Sequence, residues 1–185
     1  MEKHHVCPWW MGYLLLIPLR KYGQNPQKIL GKYLHPGMKV IDFGSAMGYF
    51  SLPMAKMVNP SGKVYCFDIQ QKMLDKLMKR VRSAGLEQCV ELRNVNSGSA
   101  FDGLDSNIDF VLLFAVAHEV PDQHQLFRQL YATLKPGAIM LFAEPAGHVS
   151  TSQFNQSVAL AIDNGFEKQG NVMIKQSHAI LMLKP

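Results

Sequence analysis

The chain has 185 residues, 48% hydrophobic and 18% charged, with a formal net charge of +5. This composition fits a single domain, residues 1–185, with a sizeable core, and excludes a disordered or fibrous chain. The positive balance is modest and unfocused, so it does not by itself imply nucleic acid.

Residues 1–24 hold the most apolar stretch, residues 9–19, W-W-M-G-Y-L-L-L-I-P-L. It is shorter than the roughly 20 apolar residues a membrane span needs. Arg20 and Lys21 follow it where a signal peptide would carry small residues before cleavage. An apolar N-terminal helix packed on the domain is expected, with Trp9, Trp10 and Met11 either lidding an acceptor pocket or only packing. Asn25-Pro26 is an N-cap followed by proline at the first helical position, and Ile29, Leu30, Tyr33 and Leu34 recur at helical spacing.

Residues 38–43 read as a short apolar strand, followed after Gly48 by a helix with Pro53 near its start. Asn59-Pro60-Ser61-Gly62 is turn chemistry, and residues 63–67 form a second strand closed by Asp68. Met73, Leu74, Leu77, Met78 and Val81 define an amphipathic helix with Gly85 as its C′ residue. A third strand is expected near residues 89–94. Residues 108–114 read as a fourth strand, apolar without a break over residues 110–114, as in a strand buried on both faces. Asp122 with Gln125 opens a helix that Pro136-Gly137 should stop, and residues 138–143 form a fifth strand. Ser150 with Gln153 starts another helix, with Phe154, Val158 and Ile162 inward and Gly165 at its end. Residues 166–183 read as two strands joined by a polar turn.

Strands alternating with helices imply a mostly parallel sheet with helices on both faces. The last two strands lack a helix between them and should pair antiparallel. The expected fold is α/β: a Rossmann-like, doubly wound, seven-stranded sheet with an antiparallel C-terminal hairpin.

The informative segment is V-I-D-F-G-S-A-M-G-Y-F, residues 40–50, a strand leading through a Gly-rich turn into a helix. Gly44 and Gly48 let backbone approach a ligand where side chains would block it. The G-x-x-x-G spacing differs from the G-x-G-x-x-G of dinucleotide enzymes. Asp68 closes the next strand, where a carboxylate can accept hydrogen bonds from ribose hydroxyls. The two features together specify an adenosine-type ligand without separating NAD from S-adenosylmethionine.

At these residues the sequence resembles the class I S-adenosylmethionine-dependent methyltransferases. D-F-G-S-A-M-G is similar to that family's D/E-x-G-x-G-x-G, with Asp42, Gly44 and Gly48 in register and Ala46 replacing the middle glycine. V-Y-C-F-D supplies the acidic ribose binder, I-D-F-V-L-L-F resembles the I-D-x-V strand, and L-K-P-G-A-I-M-L-F resembles L-K-P-G-G. The resemblance covers residues 28–185 and is closest in flavour to the quinone and arsenite methyltransferases. It implies S-adenosyl-L-methionine as cofactor, held by Asp42, Gly44, Ser45, Ala46, Gly48, Asp68, Ile69, Asn96, Ser97 and Phe114. Asn96 would accept the adenine amino group through its side-chain oxygen.

Methyl transfer is displacement at a sulfonium carbon, so the protein mainly aligns the acceptor and takes up its proton where needed. Beyond the fourth and fifth strands the sequence offers His118, Glu119, Glu144 and His148 as catalytic candidates. Histidine is a suitable base, with Glu119 beside His118 either to orient its ring or to bind a cationic acceptor. Structural roles compete: loop carboxylates and imidazoles are often only solvated. Lys72, Lys76, Lys79, Arg80 and Arg82 interleave with the apolar face of their helix and read as a solvated face. His4, His5 and Cys7 match no standard ligand set, so no metal is expected. Cys7, Cys66 and Cys89 form no C-x-x-C pair, which suits reduced thiols in the cytoplasm.

The expected function is methyl transfer to a small-molecule acceptor, with neither nucleic acid nor membrane as partner; a homodimer is compatible with the sequence. The alternatives are an RNA or protein methyltransferase and a catalytically idle cofactor-binding module.

Overall fold

The computed structural model describes residues 22–185. The expected N-terminal helix, the roles of Trp9, Trp10 and Met11, and the His4, His5 and Cys7 set lie outside the described residues. The strands form a seven-stranded mixed sheet, mostly parallel with antiparallel C-terminal strands, and helices surround it. Packing divides the chain into two compact units that meet in sequence between Ala100 and Phe101.

In the first unit, α1 (Pro26–Leu30) is capped by Asn25, whose side chain accepts from the Gln27 and Lys28 N–H groups. It ends at Gly31, before the Tyr33 and Leu34 positions that sequence spacing would include. β1 (Lys39–Phe43) pairs parallel with β2 (Lys63–Asp68), which pairs parallel with β3 (Val90–Asn94). α2 (Ser51–Val58) takes Pro53 within its first turn, where no intrahelical N–H is needed. α3 (Gln71–Ser83) buries Met73, Leu74, Leu77 and Val81, each such side chain contributing about 1.5–3 kcal/mol.

In the second unit, β4 (Ile108–Phe114) runs parallel to β5 (Leu134–Pro145). β7 (Ser177–Leu183) is antiparallel to β5, and β6 (Glu167–Asn171) is antiparallel to β7 on its other side. α4 (Gln123–Thr133) starts on Asp122, which accepts from the Gln125 N–H. Pro136-Gly137 does not stop this helix. The chain enters β5 at Leu134, and the pairing jumps from Ile108↔Leu134 to Phe110↔Ile139. The Pro-Gly pair therefore lies in a bulge of the strand, with Gly137 at φ +79°. α5 (Thr151–Asp163) carries a full capping box between Ser150 and Gln153. Ile162 is 40% exposed and Ala161 is buried in its place. Seven residues from Phe154 bring a helix back to the same face, whereas eight overshoot it by most of a quarter turn.

Among the described residues no helix is long and apolar enough to cross a membrane.

Candidate active site

The Gly-rich turn follows directly from β1. Gly44, Ala46 and Gly48 all take positive φ, at 81°, 46° and 83°. The main chain of β2 and its terminal carboxylate hold this shape. Gly44 and Ser45 N–H both donate to Phe67 O, at 2.9 and 2.8 Å. Asp68 Oδ2 accepts from Ala46 N–H at 2.9 Å and Oδ1 from Gln70 N–H at 2.8 Å. Burial pushes the Asp68 carboxyl up from its ordinary value, and the Gln70, Ala46 and Ile69 N–H groups pull it back. Asp68 thus stabilises the turn itself, a use its position at a strand end does not reveal. A carboxylate has about four lone-pair sites, so these bonds leave acceptor capacity.

Two further residues brace the turn. Asp42, buried at the end of β1, accepts from Ser51 Oγ at 2.5 Å and so ties β1 to the first residue of α2. Arg80 Nη1 donates to Met47 O. Arg80 is therefore not part of the solvated face expected for α3; it turns inward, and burial lowers its pKa. Gly48 is required for packing as well as for its φ. A Cβ there would meet Leu77 Cδ1 at 2.3 Å and Leu52 Cδ1 at 2.7 Å.

Ser45 Oγ is buried without a hydrogen-bond partner among the described residues. Ile69, immediately after Asp68, is 44% exposed, high for an isoleucine. Asn96 is exposed, and its Nδ2 donates to Ile69 O at 3.3 Å, so any acceptor role falls to Oδ1. Ser97 Oγ donates to Asn94 O at 2.7 Å. Phe114 is buried at the end of β4, before Ala115 at φ +57°.

In the second unit, the chain after β4 makes a short 3-10 turn, Ala117–Glu119. Glu144, buried near the end of the neighbouring strand β5, grips this turn twice. Its Oε1 accepts from the His118 main-chain N–H at 3.1 Å, and its Oε2 lies 2.7 Å from His118 Nδ1. The Glu144 side chain is 1% exposed and that of His118 is 31% exposed. The hydrogen bond to Glu144 raises the His118 pKa above its ordinary value; burial opposes this, and the charges of Glu144 and Glu119 reinforce it. The imidazole is thus oriented by Glu144 and not by its sequence neighbour Glu119. His148 is exposed in the turn after β5, its main-chain N–H donating to Pro145 O at 3.0 Å. Among the described residues no group of three or more His, Cys, Asp or Glu is arranged to hold a metal ion.

A family described as "Methyltransferase domain" matches residues 34–180, most of the chain. The chain belongs to this methyltransferase family. The methyltransferase is 31% identical over 96 residues to a demethylmenaquinone methyltransferase of Lactobacillus johnsonii, a match covering 52% of this chain and 39% of that protein. It is 30% identical over 108 residues to the ubiquinone/menaquinone biosynthesis C-methyltransferase UbiE of Pasteurella multocida, covering 58% and 40%. These matches span about two-fifths of the relatives' length. Among solved structures, an S-adenosylmethionine-dependent methyltransferase from Aquifex aeolicus superposes with a TM-score of 0.85 at 23% identity, covering 97% of this chain and 100% of that one, which shows the fold.

The turn of this methyltransferase has features that suit an adenosine-type ligand. A buried hydroxyl without a partner is costly and is satisfied by a polar ligand group. An exposed isoleucine next to the strand-end carboxylate suits a flat apolar ring. The pairing of His118 with Glu144 had a readable signal: one follows the end of β4 and the other lies near the end of β5, strands that the sequence places in succession. The Arg80 contact had none, because a helix periodicity does not say which long cation folds back.

Proposed function

We propose that this methyltransferase transfers the methyl group of S-adenosylmethionine to a small-molecule acceptor of the quinol class, by direct displacement. The observation that carries the catalytic side is the buried Glu144 carboxylate 2.7 Å from His118 Nδ1. A carboxylate there fixes the proton on Nδ1 and leaves Nε2 as the ring atom that accepts a proton. An acceptor carbon or oxygen of a reduced quinone is more nucleophilic once its hydroxyl proton leaves, and on this reading His118 takes that proton. His148 and Glu119 are secondary candidates, His148 as an alternative base and Glu119 as added negative charge near the ring. The acceptor class is supported by the partial likeness to the two quinone methyltransferases.

The cofactor supplies an activated methyl on a sulfonium. On this reading Asp68 binds the ribose, Ile69 lies against adenine and Asn96 Oδ1 meets its amino group. Ser45 Oγ and the Gly44–Gly48 backbone receive the methionine portion, Asp42 supports that backbone, and Ser97 and Phe114 are further proposed cofactor residues. The domain is proposed to act as one unit in the cytoplasm.

Calorimetry with S-adenosylhomocysteine and with NAD, followed by a turnover screen, tests the reading. Binding of S-adenosylhomocysteine alone is expected, with its release stimulated by a short-chain 2-prenyl-1,4-naphthoquinol. Turnover on RNA or a protein, and none on quinols, thiols or arsenite, would replace the small-molecule reading. Binding without turnover on any acceptor would mark an idle cofactor-binding module.

A further inference from the structure

The turn that carries His118 is held from a second side. Gln123, the first residue of α4, donates from Nε2 to Ala117 O at 3.0 Å. Its other amide atom, Oε1, accepts from Ser157 Oγ of α5 at 2.7 Å. Ser157 is buried, and its alternative acceptor, Gln153 O, is farther away at 3.3 Å. Ala117 is buried and directly precedes His118, and its carbonyl also receives Val120 N–H at 3.0 Å. A chain of side-chain hydrogen bonds thus runs from α5 through α4 to the residue before the imidazole.

We propose that Gln123 and Ser157 are positioning residues that clamp the Ala117–Glu119 turn and so keep the His118 ring on Glu144. The inference rests on His118 as the proton acceptor of the proposed reaction. Glu144 alone sets which carboxylate the ring meets, but a 3-10 turn of three residues has little rigidity of its own. The amide of Gln123 is suited to the task because one end donates to a carbonyl while the other is locked by a hydroxyl. A carboxylate at this position would meet the Ala117 carbonyl acceptor to acceptor.

The test compares wild type with Gln123→Met, Ser157→Ala and the double variant. The His118 titration midpoint is followed by NMR, and kcat and KM are measured with S-adenosylmethionine and the short-chain 2-prenyl-1,4-naphthoquinol. Gln123→Met is expected to lower the midpoint towards that of an ordinary histidine. It should cut kcat about tenfold, less than the roughly 10²-fold cost of a full ångström of misplacement, with KM for the cofactor unchanged. Ser157→Ala should do the same more weakly, and the double variant should lose no more than Gln123→Met, because both act through one bond. A Gln123→Met protein that melts as wild type with midpoint and kcat unmoved overturns the proposal, as do losses that simply add. If Gln123→Met does not fold, Ser157→Ala decides by the same two readouts. Full turnover in His118→Ala would remove the base reading instead; the midpoint in Gln123→Met would still decide whether the clamp exists.

Discussion

Replacing Glu144 by glutamine isolates the charge of the His118 partner while keeping its shape. Both carboxylate oxygens are used, one on the His118 main-chain N–H and one on Nδ1. The amide has one acceptor, so one of these bonds must fail. If its oxygen keeps the main-chain N–H, its NH₂ faces Nδ1, which must then accept; the ring proton moves to Nε2 and the basic atom is lost. If its oxygen takes Nδ1–H, the NH₂ opposes a main-chain N–H, donor against donor. A hydrogen bond to a charged group is worth about 1.5–3 kcal/mol, and the part-exposed ring puts this one towards the lower figure. The His118 midpoint should fall towards that of an ordinary histidine. Turnover should drop by about 10²–10⁴-fold, the usual contribution of a general base, while S-adenosylhomocysteine binding stays intact. Stability carries a second signature. A histidine whose folded pKa is raised stabilises the fold fully below its unfolded value, and this is lost as pH rises through the folded value. The destabilisation in Glu144→Gln should therefore be larger at about pH 6 than at about pH 9 in thermal melts. The wild-type rate should climb as pH passes through the raised His118 midpoint, since only the neutral ring accepts a proton. A variant with unchanged midpoint and full turnover would refute the orienting role of Glu144.

Two other substitutions probe the cofactor turn. Asp68→Ala removes the acceptors of Ala46 and Gln70 N–H together with the proposed ribose ligand, so calorimetry should show S-adenosylhomocysteine affinity weakened at least about tenfold, with a lower melting temperature. An unchanged dissociation constant in the folded variant would take Asp68 out of the cofactor site. Ala46→Gly should relieve a left-handed alanine that costs about 1–2 kcal/mol, partly offset by about 0.4–1 kcal/mol of extra unfolded-state entropy. The melting temperature should hold or rise, and a clear fall would show that φ +46° carries no strain at this residue.

The sequence by itself determined the order and type of the elements, because hydrophobic period and capping chemistry are local. Asn25, Asp122 and Ser150 each cap the helix they precede, and the apolar run of residues 110–114 lies in a strand, β4. The motifs around Asp42, Gly44 and Asp68 also sufficed to indicate the family that the domain match bears out. What sequence could not decide was which long-range partner each polar group takes. Pro136-Gly137 is as good a helix stop as a strand bulge until β4 imposes a register on it. Gly48 is as good a ligand-approach glycine as a packing one until Leu77 lies against it. His118 has Glu119 beside it in sequence but meets Glu144, 26 residues away, because successive residues diverge in a tight turn whereas parallel strands bring their ends together. Those choices depend on distances between segments, and only tertiary packing sets such distances.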